Sequence, residues 1–398
     1  MTKSHRRVLI VVQNLPVPRD RRVWLECRAL RARGYEVSVI CPQGRDEKSR
    51  QKYEVLEGVH IFRYKPPPDT HGTLSFFYEF AYCWIRTALL SVRVARRRGF
   101  DVLQACNPPD TYWLLALLWR PFGKKFVFDQ HDLNPETYES RFGRRGALHS
   151  VLLRFERLTY RLSHHVISTN ESYRAVAMDR GRVPPDRITI VRTGPDLELM
   201  PRGPVDESCR HGRAHLVVYL GVMGPQDGVD IAIRAAHHLI TVRNRSDIAF
   251  VFMGRGDCYD ELRGLVDELG IGDQVLLPGF TPDEQVFAYL SSADVGLCPD
   301  PKNPLNDVST MNKTMEYMAF GLPVVAFDLV ETRYSAQDAA LYATPNDVAE
   351  FGDLVAELLD DTARKESMGA YGRRRVEEVL AWRHQAPAYQ SVYDRLLA

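Results

Sequence analysis

Apolar positions fall into short solid runs that alternate with stretches of helical period. Residues 8–12 are continuously apolar, 13–20 are polar, and 21–33 place Val23, Cys27 and Leu30 on one helix face before Gly34 stops it. Residues 36–41 read as a second strand. Strand, helix and strand at this spacing predict the βαβ unit of a doubly wound sheet. Further strands are expected at 100–105, 125–129, 165–170 and 187–192. A long helix over 74–98 has an aromatic first half and ends in Arg93, Arg96, Arg97 and Arg98, and a second basic helix is expected over 141–161. Such amphipathic faces either cover the sheet or lie on an anionic membrane.

After residue 198 the pattern restarts. Residues 199–214 are rich in Pro, Gly and charge and read as a linker. A new βα unit follows, with a strand at 216–221 and a helix over 229–239, then strands at 250–253, 275–277 and 295–297. The 398 residues are too many for one ordinary core and suit two. The domains are therefore set at 1–198 and 215–380, with a helical segment at 381–398.

The stretch 303–328 gathers more polar chemistry than any other. Asn306, Asp307, Ser309, Thr310 and Asn312 lead into a helix expected from about Met311 to Phe320, which Gly321 and Pro323 end. A helix entered through such a loop offers unpaired backbone N–H groups and a positive dipole end, suited to a phosphate. Glu316, one turn in, sits where a carboxylate accepts from vicinal hydroxyls. The plainer alternative is that Ser309 to Asn312 cap the helix and Glu316 is a solvated first-turn acid.

Composition narrows the class. Apolar residues make up 45% and charged residues 26%, as in a soluble globular protein. The start is a short basic tail running into a strand, not a signal peptide, and no apolar run reaches membrane-spanning length. Seven cysteines without C-x-x-C pairs fit reduced thiols in a cytoplasm, with no zinc site. Up to Glu198 there are 34 Lys and Arg against 21 acids, and beyond it 18 against 30, so the net charge of +1 hides a basic half facing something anionic or its acidic neighbour. The loop after the first strand has no G-x-G-x-x-G, which argues against a nicotinamide or flavin cofactor.

Glu316-Tyr-Met-Ala-Phe-Gly-Leu-Pro-Val-Val, with His131-Asp132 after the strand at 125–129, resembles the retaining nucleotide-sugar glycosyltransferases of the two-domain GT-B type that include sucrose synthase and bacterial mannosyltransferases. The resemblance implies an α/β fold of two Rossmann-like doubly wound domains facing across a cleft, with the last helix crossing back to the first domain. It implies a nucleoside-diphosphate sugar as substrate, no cofactor and no metal, a glycan or lipid-linked acceptor, and no nucleic-acid partner. His131 and Asp132 would line the reaction cleft, with Gln13, Asn14, Arg19, Asp20 and Asn107 on the acceptor side. Thr281 would meet the base, and Gly224 would bring backbone close to phosphate.

Three charged positions of the pattern are absent. Val308 stands where the family has its first Glu, Val222 where it has an Arg and Asp227 where it has a Lys. Asp307 is one residue from the missing Glu. Lys313, Arg255, Lys302 and Arg192 are the candidates to neutralise the diphosphate, and Lys313 is placed in the catalytic role. The first expectation is thus a retaining, metal-independent hexosyltransferase in cell-envelope or exopolysaccharide assembly, cytoplasmic or peripheral at the inner membrane face. A non-catalytic subunit of the same fold, a 2-epimerase and a transferase acting on a soluble natural product are the alternatives.

Overall fold

The computed structural model describes residues 6–44, 47–67 and 73–398, with the side chains of 71–77 and 80 outside that description. The basic tail before Arg6 and most aromatics of the 74–98 segment's first turns lie outside the described residues. The chain divides into unit 1, residues 1–193 with 385–398, and unit 2, residues 194–384.

Unit 1 runs β1 (Arg7–Val11), α1 (Arg21–Ala32), β2 (Glu36–Pro42), β3 (Tyr53–Leu56), β4 (Val59–Tyr64), α2 (Thr73–Arg97), β5 (Val102–Cys106), α3 (Trp113–Trp119), β6 (Lys125–Gln130), α4 (Asn134–Phe142), α5 (Ala147–Leu162), β7 (His165–Ser168), α6 (Glu171–Asp179) and β8 (Ile188–Ile190). Its eight strands are ordered β3-β4-β2-β1-β5-β6-β7-β8, parallel except for the β3–β4 pair. The β3–β4 hairpin was left unassigned by the periodicity, as was strand 340–343 of unit 2. β1 is nearly all buried because a parallel strand has helices on both faces, which is why its run is solid rather than alternating. α1 begins where Asp20 Oδ1 accepts from Val23 N at 3.1 Å, an N-cap.

Unit 2 runs β9 (His215–Leu220), α7 (Val229–Thr241), β10 (Ile248–Met253), α8 (Tyr259–Leu269), β11 (Val275–Gly279), α9 (Asp283–Ser292), β12 (Val295–Cys298), α10 (Asn312–Ala319), β13 (Val324–Phe327), α11 (Val330–Ala336), β14 (Ala340–Ala343), α12 (Val348–Asp360) and α13 (Thr362–Arg375). The six strands lie parallel in the order β11-β10-β9-β12-β13-β14. Alternate residues of β9 feed opposite layers: Val217 and Tyr219 join the core under α7 and α12, Leu216 and Val218 the core under α9 and α10. α14 (Trp382–Leu396) carries the chain back into unit 1.

Residues 199–214, expected as a linker, lie within unit 2. Met200 and Cys209 are buried, and the N–H groups of Gly203 and Asp206 donate to Ser291 Oγ and Ser292 Oγ at 2.9 and 2.8 Å. Composition marks such a segment as polar but does not show that its backbone donors find hydroxyls on a neighbouring helix. Among the described residues, no helix is long and apolar enough to cross a membrane.

Candidate functional site

Each sheet reverses its winding direction once. In unit 2 the switch lies between β9 and β12, and ligands of open parallel sheets bind beyond the strand ends at such a point. The loops after these strands are stitched together: Asn306 Nδ2 donates to Gln226 O at 2.8 Å and to Pro301 O at 2.9 Å. Gly228 starts α7 at φ +65° with Pro299 O so close that a Cβ would meet it at 2.1 Å, so only glycine fits.

Lys313 lies at this switch. Its Nζ is 2.7 Å from Asp300 Oδ1 and 5.0 Å from the centre of the Tyr219 ring, and the side chain is 9% exposed. Burial opposes its charge, but Asp300 beside it holds the ammonium well above the usual lysine range. Gly221 lets the backbone approach, since a Cβ there would be 3.2 Å from Lys313 Cε. Asp227 is the other carboxylate here. It accepts from Gly224 N at 2.9 Å and from Gln226 Nε2 at 3.1 Å, and burial, only partly offset by Lys313 and reinforced by Asp300, pushes its carboxyl up to about 6. One buried cation thus faces two carboxylates.

The polar loop before α10 mostly holds itself in shape. Asn303 Oδ1 accepts from Leu305 N and Asn306 N, both at 2.9 Å, and Ser309 Oγ donates to Leu305 O at 2.8 Å. Met311 is the N-cap and supplies no side-chain hydrogen bond to the first turn. Thr310 and Asn312 flank it, half-buried and exposed respectively, and Glu316 is half-buried one turn in. Asp307, the expected stand-in for the missing Glu, accepts from Val330 N at 3.1 Å and lies 3.5 Å from Lys302 Nζ, which ties both to the start of α11.

Other expected donor residues are spread along the strand ends. Arg255 is exposed after β10 with its guanidinium 4.7 Å from the Tyr259 ring centre. Thr281 is buried after β11 and donates to Gly279 O at 3.1 Å, while Phe280 beside it is 63% exposed. Val222 is 60% exposed. Arg192 is buried in unit 1, its N–H donating to Gln385 Oε1 at 3.3 Å.

In unit 1 the switch lies between β1 and β5. Asn107 there is buried and acts on the backbone: its Oδ1 accepts from His131 N at 2.6 Å and Asp132 N at 3.1 Å, and its Nδ2 donates to Asp132 O at 2.7 Å. It holds the His131-Asp132 loop rather than presenting a free amide. Desolvation raises the Asp132 carboxyl. Asn14 and Arg19 are exposed on the loop after β1, Gln13 is half-buried, and Asp20 caps α1.

His131 rests on a buried polar cluster that the sequence did not indicate. Arg22 donates through Nη2 to Asp129 Oδ1 at 2.9 Å and through Nη1 to Val191 O at 2.9 Å and Thr193 Oγ1 at 2.8 Å, and its Nε is 3.0 Å from Glu26 Oε1. His131 Nε2 is 2.8 Å from Asp129 Oδ2. Gln104 Nε2 donates to Glu26 Oε2 and Asp129 Oδ2, both at 2.8 Å, and Tyr389 and Tyr393 of α14 donate to Gln104 Oε1. Arg22 Nε also lies 3.0 Å from His131 Nε2, so this one ring nitrogen sits between a guanidinium and a carboxylate. Although buried, Asp129 is held well below the usual carboxylate range by Arg22 and His131. Burial, and then Asp129, drive Glu26 well above it. Glu26, Cys106, Asp129 and His131 present ligand-type atoms within 4.8 Å of one another, but the Arg22 guanidinium pairs with two of these groups and already supplies the cation.

Two family models match in tandem: Glycosyltransferase Family 4 over residues 20–199 and Glycosyl transferases group 1 over 214–361. The chain belongs to the GT-B glycosyltransferases of the family 4 type. Within this family, it is 28% identical over 221 residues to the MMP alpha-(1->4)-mannosyltransferase of Mycolicibacterium hassiacum, covering 54% of this chain and 50% of that protein, so it spans about half the length of that relative. The fold is shared with sucrose-phosphate synthase of Thermosynechococcus elongatus, at TM-score 0.79 and 18% identity over 98% of this chain and 99% of the other. It is also shared with Anabaena HepE in complex with UDP-glucose, at TM-score 0.72 and 15% identity over 99% of each chain. The matched residues take in the loops after β5 and β6 and the whole β9/β12 switch, and begin after β1.

Asp300, Tyr219 and Gln226 were missed by sequence reasoning. Asp300 stands two residues beyond a strand end, the position that singled out His131, and that rule applied evenly would have found it.

Proposed function

We propose that this glycosyltransferase moves a hexose from a nucleoside-diphosphate sugar to an acceptor hydroxyl with retention and without a metal. The observation that carries the reading is the buried Lys313, paired with Asp300 at the β9/β12 switch, in the first turn of α10 and one turn from Glu316. The bond from the anomeric carbon to the diphosphate oxygen breaks with its electron pair on the diphosphate. Lys313 and the first N–H groups of α10 act on that growing charge, which lowers the barrier itself. The acceptor oxygen joins the same face of the carbon, and its proton leaves to the departing diphosphate. HepE's bound ligand makes UDP-glucose the first donor to try. The basic unit 1 favours a lipid-linked or envelope glycan acceptor at the inner membrane face. Incubation with a panel of nucleotide sugars tests the reading: nucleoside diphosphate released only with acceptor supports transfer. Nucleotide binding without turnover would instead support a non-catalytic subunit, the reading that Val222, Asp227 and Val308 favour.

Glu316→Gln is expected to weaken nucleoside-diphosphate binding by about 1.5–3 kcal/mol, because one carboxylate oxygen becomes a donor where ribose hydroxyls need acceptors. Calorimetry with UDP checks this, and unchanged affinity takes Glu316 out of the site.

Asp227 makes binding depend on pH. Its ionised form repels a diphosphate, and its carboxyl titrates near 6, so affinity is expected to rise several-fold as pH falls from 8 towards 6. Protonation of the ligand itself pushes the other way. In Asp227→Asn the rise should flatten and affinity at pH 8 should increase; the same pH slope in both proteins would exclude Asp227 as its source.

A further inference from the structure

Unit 1 carries apolar surface that its own fold leaves uncovered. α2, α3 and α5 pack on one face of the eight-stranded sheet, linked by Trp119 Nε1 donating to Ser91 Oγ at 3.0 Å and by Trp113 and Phe155 with ring centroids 6.3 Å apart. α2 turns Cys83, Thr87, Ser91 and Val94 inward, whereas its larger Ile85 and Leu89 are 52% and 62% exposed. α3 buries Leu115, Ala116 and Trp119 and leaves Leu114, Leu117 and Leu118 outside. Phe122, just beyond, is 65% exposed. Single exposed apolar residues are ordinary, but six large ones on adjoining elements mark an interaction surface.

The charge around them selects the partner. Residues 73–98, 113–125 and 141–162 build this layer and carry fourteen Lys and Arg against two acids, Glu79 and a Glu156 that is buried 2.7 Å from Arg180. Val151, Arg154, Arg157 and Arg161 are exposed along α5 at three- and four-residue spacing, one stripe of the helix. A second copy of the face would bring like charges together, and a nucleic acid would leave the leucines in water. A leaflet of anionic lipid matches both features, with acyl chains for the apolar residues and headgroups for the arginines.

We propose that the outer faces of α2, α3 and α5, with Phe122, dock unit 1 on an anionic lipid surface. This deepens the reading of the protein as a transferase acting on a membrane-linked glycan and rests on that reading for the acceptor alone. Flotation of the full chain with vesicles of phosphatidylcholine, with and without phosphatidylglycerol, tests it at low and high salt. The chain should float with the anionic vesicles, and more strongly at low salt. Arg154→Glu with Arg157→Glu should lower partitioning by more than about tenfold, since each basic residue near such a surface contributes about fivefold. Leu117→Ser with Leu118→Ser should remove the binding that survives high salt. Both pairs are exposed and remote from the donor loops in sequence, so UDP affinity should stay as in the parent and report an intact fold. No flotation, equal flotation on neutral vesicles, or variants that bind as the parent does would overturn the proposal. So would self-association lost with the leucine pair, or nucleic acid bound in preference to vesicles. Vesicle binding without sugar transfer would leave the docking face standing and remove the transferase reading; transfer to a soluble acceptor without vesicle binding would do the reverse.

Discussion

Lys313→Ala is expected to lower the rate of sugar transfer by about two orders of magnitude, because a well-placed donor acting on developing charge contributes about 3 kcal/mol. Affinity for the free nucleoside should hardly change, since a nucleoside has no phosphate for the ammonium to meet. The structure adds a second effect. Lys313 compensates Asp300 in a buried pair at 2.7 Å, and removing one partner of such a pair costs about 3–5 kcal/mol of stability. A loss of activity in the single variant would therefore confound chemistry with folding. Lys313→Ala combined with Asp300→Asn separates them: stability should largely return, because no unpaired charge remains, while the rate should not. Urea unfolding and steady-state kinetics on both variants read the two effects. Recovery of turnover with stability would mean that the lysine serves the ion pair, and the diphosphate's partner would be sought at Arg255 or Lys302.

Most strands of both sheets were legible, β3, β4 and β14 excepted, because each depends on a few neighbouring residues. Solid runs such as Leu9 to Val12 are solid because helices cover both faces of a parallel strand, and Gly34 and Gly321 end their helices with positive φ of 89° and 72°. The α10 helix was predicted within a residue at each end. Side-chain partners across long separations were not legible. Asn107 lies 24 residues before His131, and nothing local says that its amide will clamp that loop. Asp307 follows the spacing of a family carboxylate within one residue, yet its oxygen is engaged by a backbone N–H at 330. The long helix at 74–98 showed an apolar stripe, but the stripe that faces the sheet is the smaller one of Cys83, Thr87, Ser91 and Val94. Periodicity gives the angle between residues and leaves open which face turns inward.

Arg22 supplies the other large effect. Arg22→Met should destabilise unit 1 by about 3–5 kcal/mol, because Asp129 would stay buried without its cation. The pH dependence of that loss identifies its cause. In the parent, Asp129 is held below its unfolded value, so its contribution is complete above about pH 4 and is lost only as pH falls through the depressed folded value. Without Arg22, burial dominates and the carboxyl moves above its unfolded value. The folded state then holds a proton that the unfolded state releases, and stability falls as pH rises from about 4. The difference between parent and variant should thus be larger at pH 8 than at pH 5, by urea midpoints at each. Glu26, raised in the parent already, contributes a slope to both proteins, which is why the difference is the quantity to read. Arg22→Met with Asp129→Asn should recover much of the loss and show a weaker pH dependence, since a neutral amide leaves no buried charge without its partner. An equal loss at every pH, unrelieved by the second substitution, would mean that the guanidinium is held for its packing and its bonds to Val191 and Thr193 and not for the charge it brings to the cluster beneath His131.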